Sequence, residues 1–202
     1  MIIKDITSIK AKKGLKVAQD DADDWFKKAK NNPMDPTVVF CENQMMQVGK
    51  INQFKYNPKG KDTLDYYDKS PLVLSLGIIQ RKKMRYELGL NLNFIPAPYK
   101  WYILETIQRT YSGFFQRQKD GRASNNALKQ PQIMYRYAAV KALLSKYGFE
   151  FALRTYIPSR KSKVYCINYN SWVDCAFLSI EKFEGISYNE MIKEYTKSKN
   201  SR

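Results

Sequence analysis

Leu72-Val73-Leu74-Ser75-Leu76-Gly77-Ile78-Ile79, then the basic turn Arg81-Lys82-Lys83, then Tyr86-Glu87-Leu88-Gly89-Leu90-Asn91-Leu92-Asn93-Phe94-Ile95-Pro96: this stretch decides the fold. The first run is apolar and bounded by turn formers, as a buried strand requires. In the second, Leu88, Leu90, Leu92 and Phe94 alternate with Glu87, Gly89, Asn91 and Asn93. Period two predicts a strand with one face buried and the other wet. Upstream, residues 46–56 read as an extended strand ending in Phe54-Lys55-Tyr56, followed by the polar elbow 57–64 and by Asp65-Tyr66-Tyr67-Asp68. Three consecutive strands predict a small antiparallel sheet or partly open barrel.

Outward from this hairpin the pattern alternates between helix and strand. A helix is expected from Leu15 to Lys30, with Val17, Ala22, Trp25, Phe26 and Ala29 as its apolar positions. Its aspartates at 20, 21, 23 and 24 precede Lys27, Lys28 and Lys30, an order that complements the helix macrodipole. Asn31-Asn32-Pro33 stops it, and Val38–Cys41 forms a short strand. Beyond Pro96-Ala97-Pro98 the period becomes 3.6, predicting a helix over 99–115, a basic loop over 116–122, and a second helix ending at Tyr147-Gly148. Residues 149–157, 164–169 and 172–178 read as further strands, and Ser187 with Glu190 has capping-box spacing for a last helix over 188–197. The expected class is α+β: a small bent antiparallel sheet with flanking helices in one domain, 15–197, between an N-terminal arm, 1–14, and a tail, 198–202.

Charge narrows the function. The 202 residues carry 35 Lys+Arg against 19 Asp+Glu, a formal net charge of +16. Such excess favours a polyanionic partner, most simply nucleic acid. Histidine is absent, which removes a histidine general base, a Ser-His-Asp triad and histidine-bearing zinc sites. The three cysteines show no CxxC spacing, and no apolar run has the roughly 20 residues of a membrane helix. No cofactor, no metal and no membrane are expected. Phosphate-facing candidates are Lys59 and Lys61 on the elbow, Arg81, Lys82 and Lys83 at the hairpin, and Arg117, Lys119, Arg122, Arg160, Lys161 and Lys163 downstream. Asp62, Asp65 and Asp68 raise a nuclease alternative, because phosphodiester hydrolysis runs on carboxylates and Mg²⁺. Glu87 shows no spaced lysine partner nearby that would strengthen it.

Four blocks of the chain resemble the DNA end protectors of large contractile-tailed phages. They are Asp24-Trp25-Phe26-Lys27; Gly49-Lys50 with Phe54 to Val73, which includes Tyr56, Pro58, Tyr66, Tyr67 and Pro71; Leu88 to Pro96, which includes Gly89, Asn91 and Pro96; and Trp172 to Phe183. The chain departs from the family pattern with Asn57 for Asp, Asp65 for Pro and Asn93 for His, and it lacks a Gly-Gly pair before the third strand. The resemblance implies a non-catalytic virion protein that protects packaged DNA ends and completes the head for tail joining. It implies a place at the portal, neck or tail channel, in cyclic copies beside other virion proteins and double-stranded DNA, after synthesis in the host cytoplasm. A DNA-binding protein or a metal-dependent nuclease acting on phage DNA is the alternative.

Overall fold

The computed structural model describes residues 14–119, 137–179, 183–187, 189–191 and 193, with the backbone alone over 111–119. The expected arm and tail therefore lie outside the described residues, apart from Gly14. In chain order the elements are α1 (Leu15–Asn31), β1 (Val38–Phe40), β2 (Ile51–Tyr56), β3 (Tyr67–Asp68), β4 (Leu72–Arg81), β5 (Met84–Asn91), α2 (Ala97–Lys119), α3 (Tyr137–Tyr147), β6 (Leu153–Tyr156), β7 (Lys161–Ile167), α4 (Trp172–Cys175) and β8 (Phe183–Glu184). The class is α+β. Six strands form one open antiparallel sheet in the order β1-β7-β2-β4-β5-β6, and β3 pairs with β8.

The expected β2-β4-β5 sheet is present, with β4 and β5 joined through Lys82 and Lys83 in register Arg81↔Met84. Lys82 takes φ 55 to close this tight turn. The sheet is strongly curled, and the chain shows why. Only residues 157–160 join β6 to β7, yet β5, β4 and β2 stand between those strands. A flat sheet would separate them by roughly four spacings of about 4.8 Å. Five residue steps span at most about 17 Å when fully extended, and here Pro158–Arg160 is wound into a 3-10 turn. Two bulges supply the extra twist: one residue is inserted in β4 before Gly77, and one in β7 beside Lys163, which has φ 53.

One face of the sheet carries the main core. Ile51, Leu72, Leu74, Leu90 and Ile167 meet Phe26 of α1, Ile103, Leu104 and Ile107 of α2, Val140 and Leu144 of α3, and Trp172. Helix α1 turns Ala18, Ala22, Phe26 and Ala29 inward, and its alanines permit close approach to the sheet. Val17, expected on that stripe, is exposed. The aspartates begin after the first turn of α1, so only Lys28 and Lys30, in the last turn, answer the macrodipole. Helix α3 ends in a Schellman motif: Gly148, at φ 76, donates to Ser145 O, and Phe149 donates to Leu144 O.

The opposite face corrects the alternation argument. Glu87, Asn91 and Asn93 are buried, not wet. A second apolar cluster of Phe54, Val73, Tyr156, Val164 and Cys166, joined by Cys41 and Met46, covers that face. Several boundaries also differ. Residues 46–50 precede β2 as irregular chain with a turn at 48–50, and Leu92–Phe94 is a 3-10 turn, started by the Asn91 side chain accepting from Asn93 N at 3.0 Å. Trp172–Cys175 is helical rather than extended, because Trp172, Val173 and Cys175 all face inward, an arrangement that a strand's alternation forbids. Helix α2 runs on through Lys119, over half of the segment read as a loop.

Candidate nucleic-acid interface

Two cavities bear on the candidate site, one beside β2 and β7 and one beside β5 and β6. The first is a cleft of about 520 Å³ between α1 and the exposed ends of β2 and β7. Lys27 and Lys30 reach it from the last turns of α1, Lys55 from β2 and Lys163 from the β7 bulge. The bulge matters here: the left-handed Lys163 shifts the register so that its neighbours Val164 and Cys166 stay inside while Lys163 itself is exposed. Lys30 Nζ lies 4.3 Å from the centroid of the Tyr165 ring and 5.1 Å from that of Phe26, and it donates to Gln53 Oε1 at 3.3 Å. Lys27, Lys55 and Lys163 make no ion pair among the described residues. The one acid lining the cleft among the described residues, Asp23, accepts the backbone N–H of Ser179 at 2.9 Å. The result is a positive surface with its carboxylate already engaged.

The second cavity, about 340 Å³, is built by the elbow against β5 and β6. Tyr56, Pro58, Leu64, Tyr66, Tyr67 and Pro71 supply its apolar wall, and Phe94 and Tyr156 its floor. The elbow is positioned by Asn57 N donating to Arg160 O at 3.0 Å and by Tyr56 N donating to Lys69 O at 3.0 Å. Asp68 anchors the base of the pocket. Its Oδ2 accepts from Asn91 Nδ2 at 3.0 Å and Asn93 Nδ2 at 2.9 Å, and its Oδ1 from Ser70 N at 2.9 Å. Burial pushes the Tyr156 hydroxyl well above the usual tyrosine range, with the Asp68 carboxylate adding to the rise. Tyr156 is therefore a neutral hydroxyl at any physiological pH. Arg154 enters from β6, its guanidinium 4.6 Å from the centroid of the Phe94 ring, with Nε shielded from solvent and without a hydrogen bond among the described residues.

The charged residues singled out in the sequence scatter across the molecule. Lys59 and Lys61 are exposed on the elbow that walls the aromatic pocket, and Arg160 is exposed on the turn holding that elbow. Arg81, Lys82 and Lys83 are exposed at the β4-β5 tip. Arg117 and Lys119 lie in the last turns of α2, where the backbone alone is described, and Arg122 lies outside the described residues. Lys161 does not face outward: it is buried against Glu87 and sits 5.3 Å from the centroid of the Phe54 ring. Glu87 therefore has the lysine partner that sequence spacing did not reveal.

Of the aromatic and turn residues, Tyr56, Pro58, Tyr66, Tyr67, Pro71 and Asn91 converge on the second cavity. Trp25 packs on the core, Phe26 and Trp172 lie within it, Pro96 opens α2 by accepting from Tyr99 N and Lys100 N, and Gly89 presses on Val73. Asp62 and Asp65 are exposed, whereas Asp68 is saturated with donors. Among the described residues no three acidic, cysteine or histidine side chains stand close enough to hold a metal. Sequence reasoning missed Arg154, Lys55 and the cleft-facing role of Lys27 and Lys30. The signal available was that Lys27 and Lys30, three residues apart, share one side of α1, with Lys30 one turn on from Phe26.

A family model described as the phage T4 terminal DNA protecting protein matches residues 3–196. No curated protein and no solved structure matches the chain. The match spans both cavities and all four sequence blocks, and it supports a phage protein with a role at DNA ends. The chain belongs to the phage T4 terminal DNA protecting protein family.

Proposed function

We propose that the protein protects the ends of packaged phage DNA by binding them, without chemistry of its own. The observation that carries this reading is the α1-β2-β7 cleft, where, among the described residues, Lys27, Lys30, Lys55 and Lys163 face one carboxylate that is already occupied. Lysine-phosphate contacts position a duplex without reading its sequence, which suits a protein that must accept any terminus. Saturation of Asp68 by three donors argues against a carboxylate-metal nuclease at the elbow. We place the protein in the virion after synthesis in the host cytoplasm, at the portal, neck or tail channel, as a cyclic homo-oligomer. There it would seal the DNA end and join head to tail among other virion proteins. The charge of +16 supports a station beside DNA.

An exonuclease challenge tests the central claim. Linear duplex DNA mixed with the protein should survive digestion, and the Lys27→Glu/Lys55→Glu variant should leave it unprotected. Equal protection by the variant would reject the cleft as the binding surface.

A further inference from the structure

The aromatic pocket has no part in gripping a duplex backbone. It is lined by Tyr56, Tyr66, Tyr67, Phe94 and Tyr156, and at about 340 Å³ it stands near the lower limit of small-ligand sites, roughly 300–1,000 Å³. It has room for one nucleotide and none for a duplex. Its polar groups are few and of three kinds. Arg154 brings a guanidinium with no ion pair among the described residues and a shielded Nε without a hydrogen bond. Asp68 and Asn91 form its polar base, already bonded to each other and to Asn93, with Asp68 also accepting from Ser70 N, and they hold the pocket's shape rather than a ligand. The exposed lysines 59 and 61 stand on the same elbow, outside the rings.

A plain anion site has no use for five aromatic rings, and an apolar ligand has none for a guanidinium. Stacking on aromatic side chains together with charge-assisted bonding to phosphate is the chemistry that holds an unpaired nucleotide. Arg154 is suited to the phosphate because its planar fork stays charged while stacked on Phe94. We infer that this pocket captures the unpaired terminal nucleotide of a DNA strand, its base among the tyrosines and its phosphate on Arg154. This rests on the DNA-end reading above and adds what separates an end from the interior of a duplex: only a terminus can offer a base free to leave the stack. Unpairing costs least there.

Two titrations of the full chain test the site. In the first, a short 5′-phosphorylated oligodeoxynucleotide is added and tyrosine fluorescence followed. Saturable binding is expected, weakened at least tenfold in Arg154→Gln and in Tyr66→Ala, both checked for folding by circular dichroism. Absence of binding to the wild type, or binding unchanged in both variants, overturns the pocket. In the second, a duplex with open ends is compared with the same duplex closed by hairpins at both ends. Preference for open ends should vanish in Arg154→Gln while the closed duplex binds as before; preference that survives overturns the inference. Failure of the wild type to bind either duplex rejects the DNA-end reading instead, and the oligonucleotide titration still decides the pocket.

Discussion

Lys161 on β7 and Glu87 on β5 form an ion pair sealed from solvent, their side chains 0% and 1% exposed, although β2 and β4 lie between their strands. Curling of the sheet brings the two together across its second face. The pair is tied in further: Glu87 Oε1 accepts Met46 N at 2.8 Å, and the Lys161 ammonium stands over Phe54. Breaking a buried pair from one side strands a charge, at a cost of about 3–5 kcal/mol, whereas replacing both members with apolar groups is often neutral or stabilising. Lys161→Met alone should therefore lower the denaturant midpoint sharply, and Glu87→Leu with Lys161→Met should recover most of the loss. Equal midpoints for the single variant and the wild type would show that the pair carries no structural weight.

That pair also marks what the sequence conceals. The hairpin, the short β1 strand and the helix ends at Asn31 and Gly148 were legible because local rules set them: alternation, proline stops and a C′ glycine. The aromatic pocket was half legible, since Tyr56, Pro58, Tyr66, Tyr67 and Asn91 lie in recognisable blocks, yet Arg154 arrives from about a hundred residues away. Lys161 was misplaced for a specific reason. The strand was expected to begin at residue 164, leaving Lys161 in a basic segment before it, whereas β7 begins at Lys161 and the extra residue beside Lys163 sets the face that Lys161 takes. A bulge leaves no mark in composition. Nor does a run of alternating Leu and Asn reveal that a second cluster will cover its polar side.

Gly89 should not tolerate a methyl group. A Cβ there would collide with Val73 Cγ1 and stand 3.1 Å from the Leu74 carbonyl oxygen, in a region where Val73 and Leu74 are fully buried. Val73 is β-branched and has little rotamer freedom with which to yield. Gly89→Ala should destabilise by about 1–3 kcal/mol through overpacking, read as a shifted midpoint with unchanged slope in urea. A neutral result would mean that β4 and β5 can separate at no cost.

The ionisations of the buried thiols Cys41 and Cys166 are linked. The hydrogen bond from Cys166 is the largest influence on Cys41, lowering its pKa to about 7 against the opposing effect of burial; Gln47, Lys50 and Lys161 also favour its thiolate. The same bond, with burial, holds Cys166 above the usual thiol range. Titration of Cβ-labelled cysteine by NMR should show one thiol ionising near pH 7 while the other stays protonated. The lowered Cys41 pKa means that its thiolate is favoured in the folded state, so this contribution to stability is present above the unfolded thiol pKa and fades as pH falls through about 7. Cys166→Ala should move the Cys41 midpoint upward; a midpoint that stays near 7 would assign the shift to the lysines.

Salt dependence distinguishes the cleft from the scattered surface charge. Each phosphate that a lysine neutralises releases condensed counterion, so log K falls with log salt by about 0.9 per contact on B-DNA. Lys27, Lys55 and Lys163 line one cleft and are not ion-paired among the described residues. Replacing any one with Gln should reduce the slope by about 0.9, and the reductions should add. Lys82 and Lys83 at the hairpin tip line neither cavity, so Lys82→Gln should leave the slope unchanged if a single duplex occupies the cleft. Lys161→Glu cannot serve as a binding probe, because reversing a buried charge beside Glu87 removes the fold first. Arg160→Glu tests the neighbouring surface instead, since Arg160 is exposed and holds the elbow through its carbonyl, which the substitution retains. A mobility series from low to physiological salt reads all of these slopes. If the three cleft variants keep the wild-type slope, the cleft does not bind phosphate and the charge faces protein neighbours.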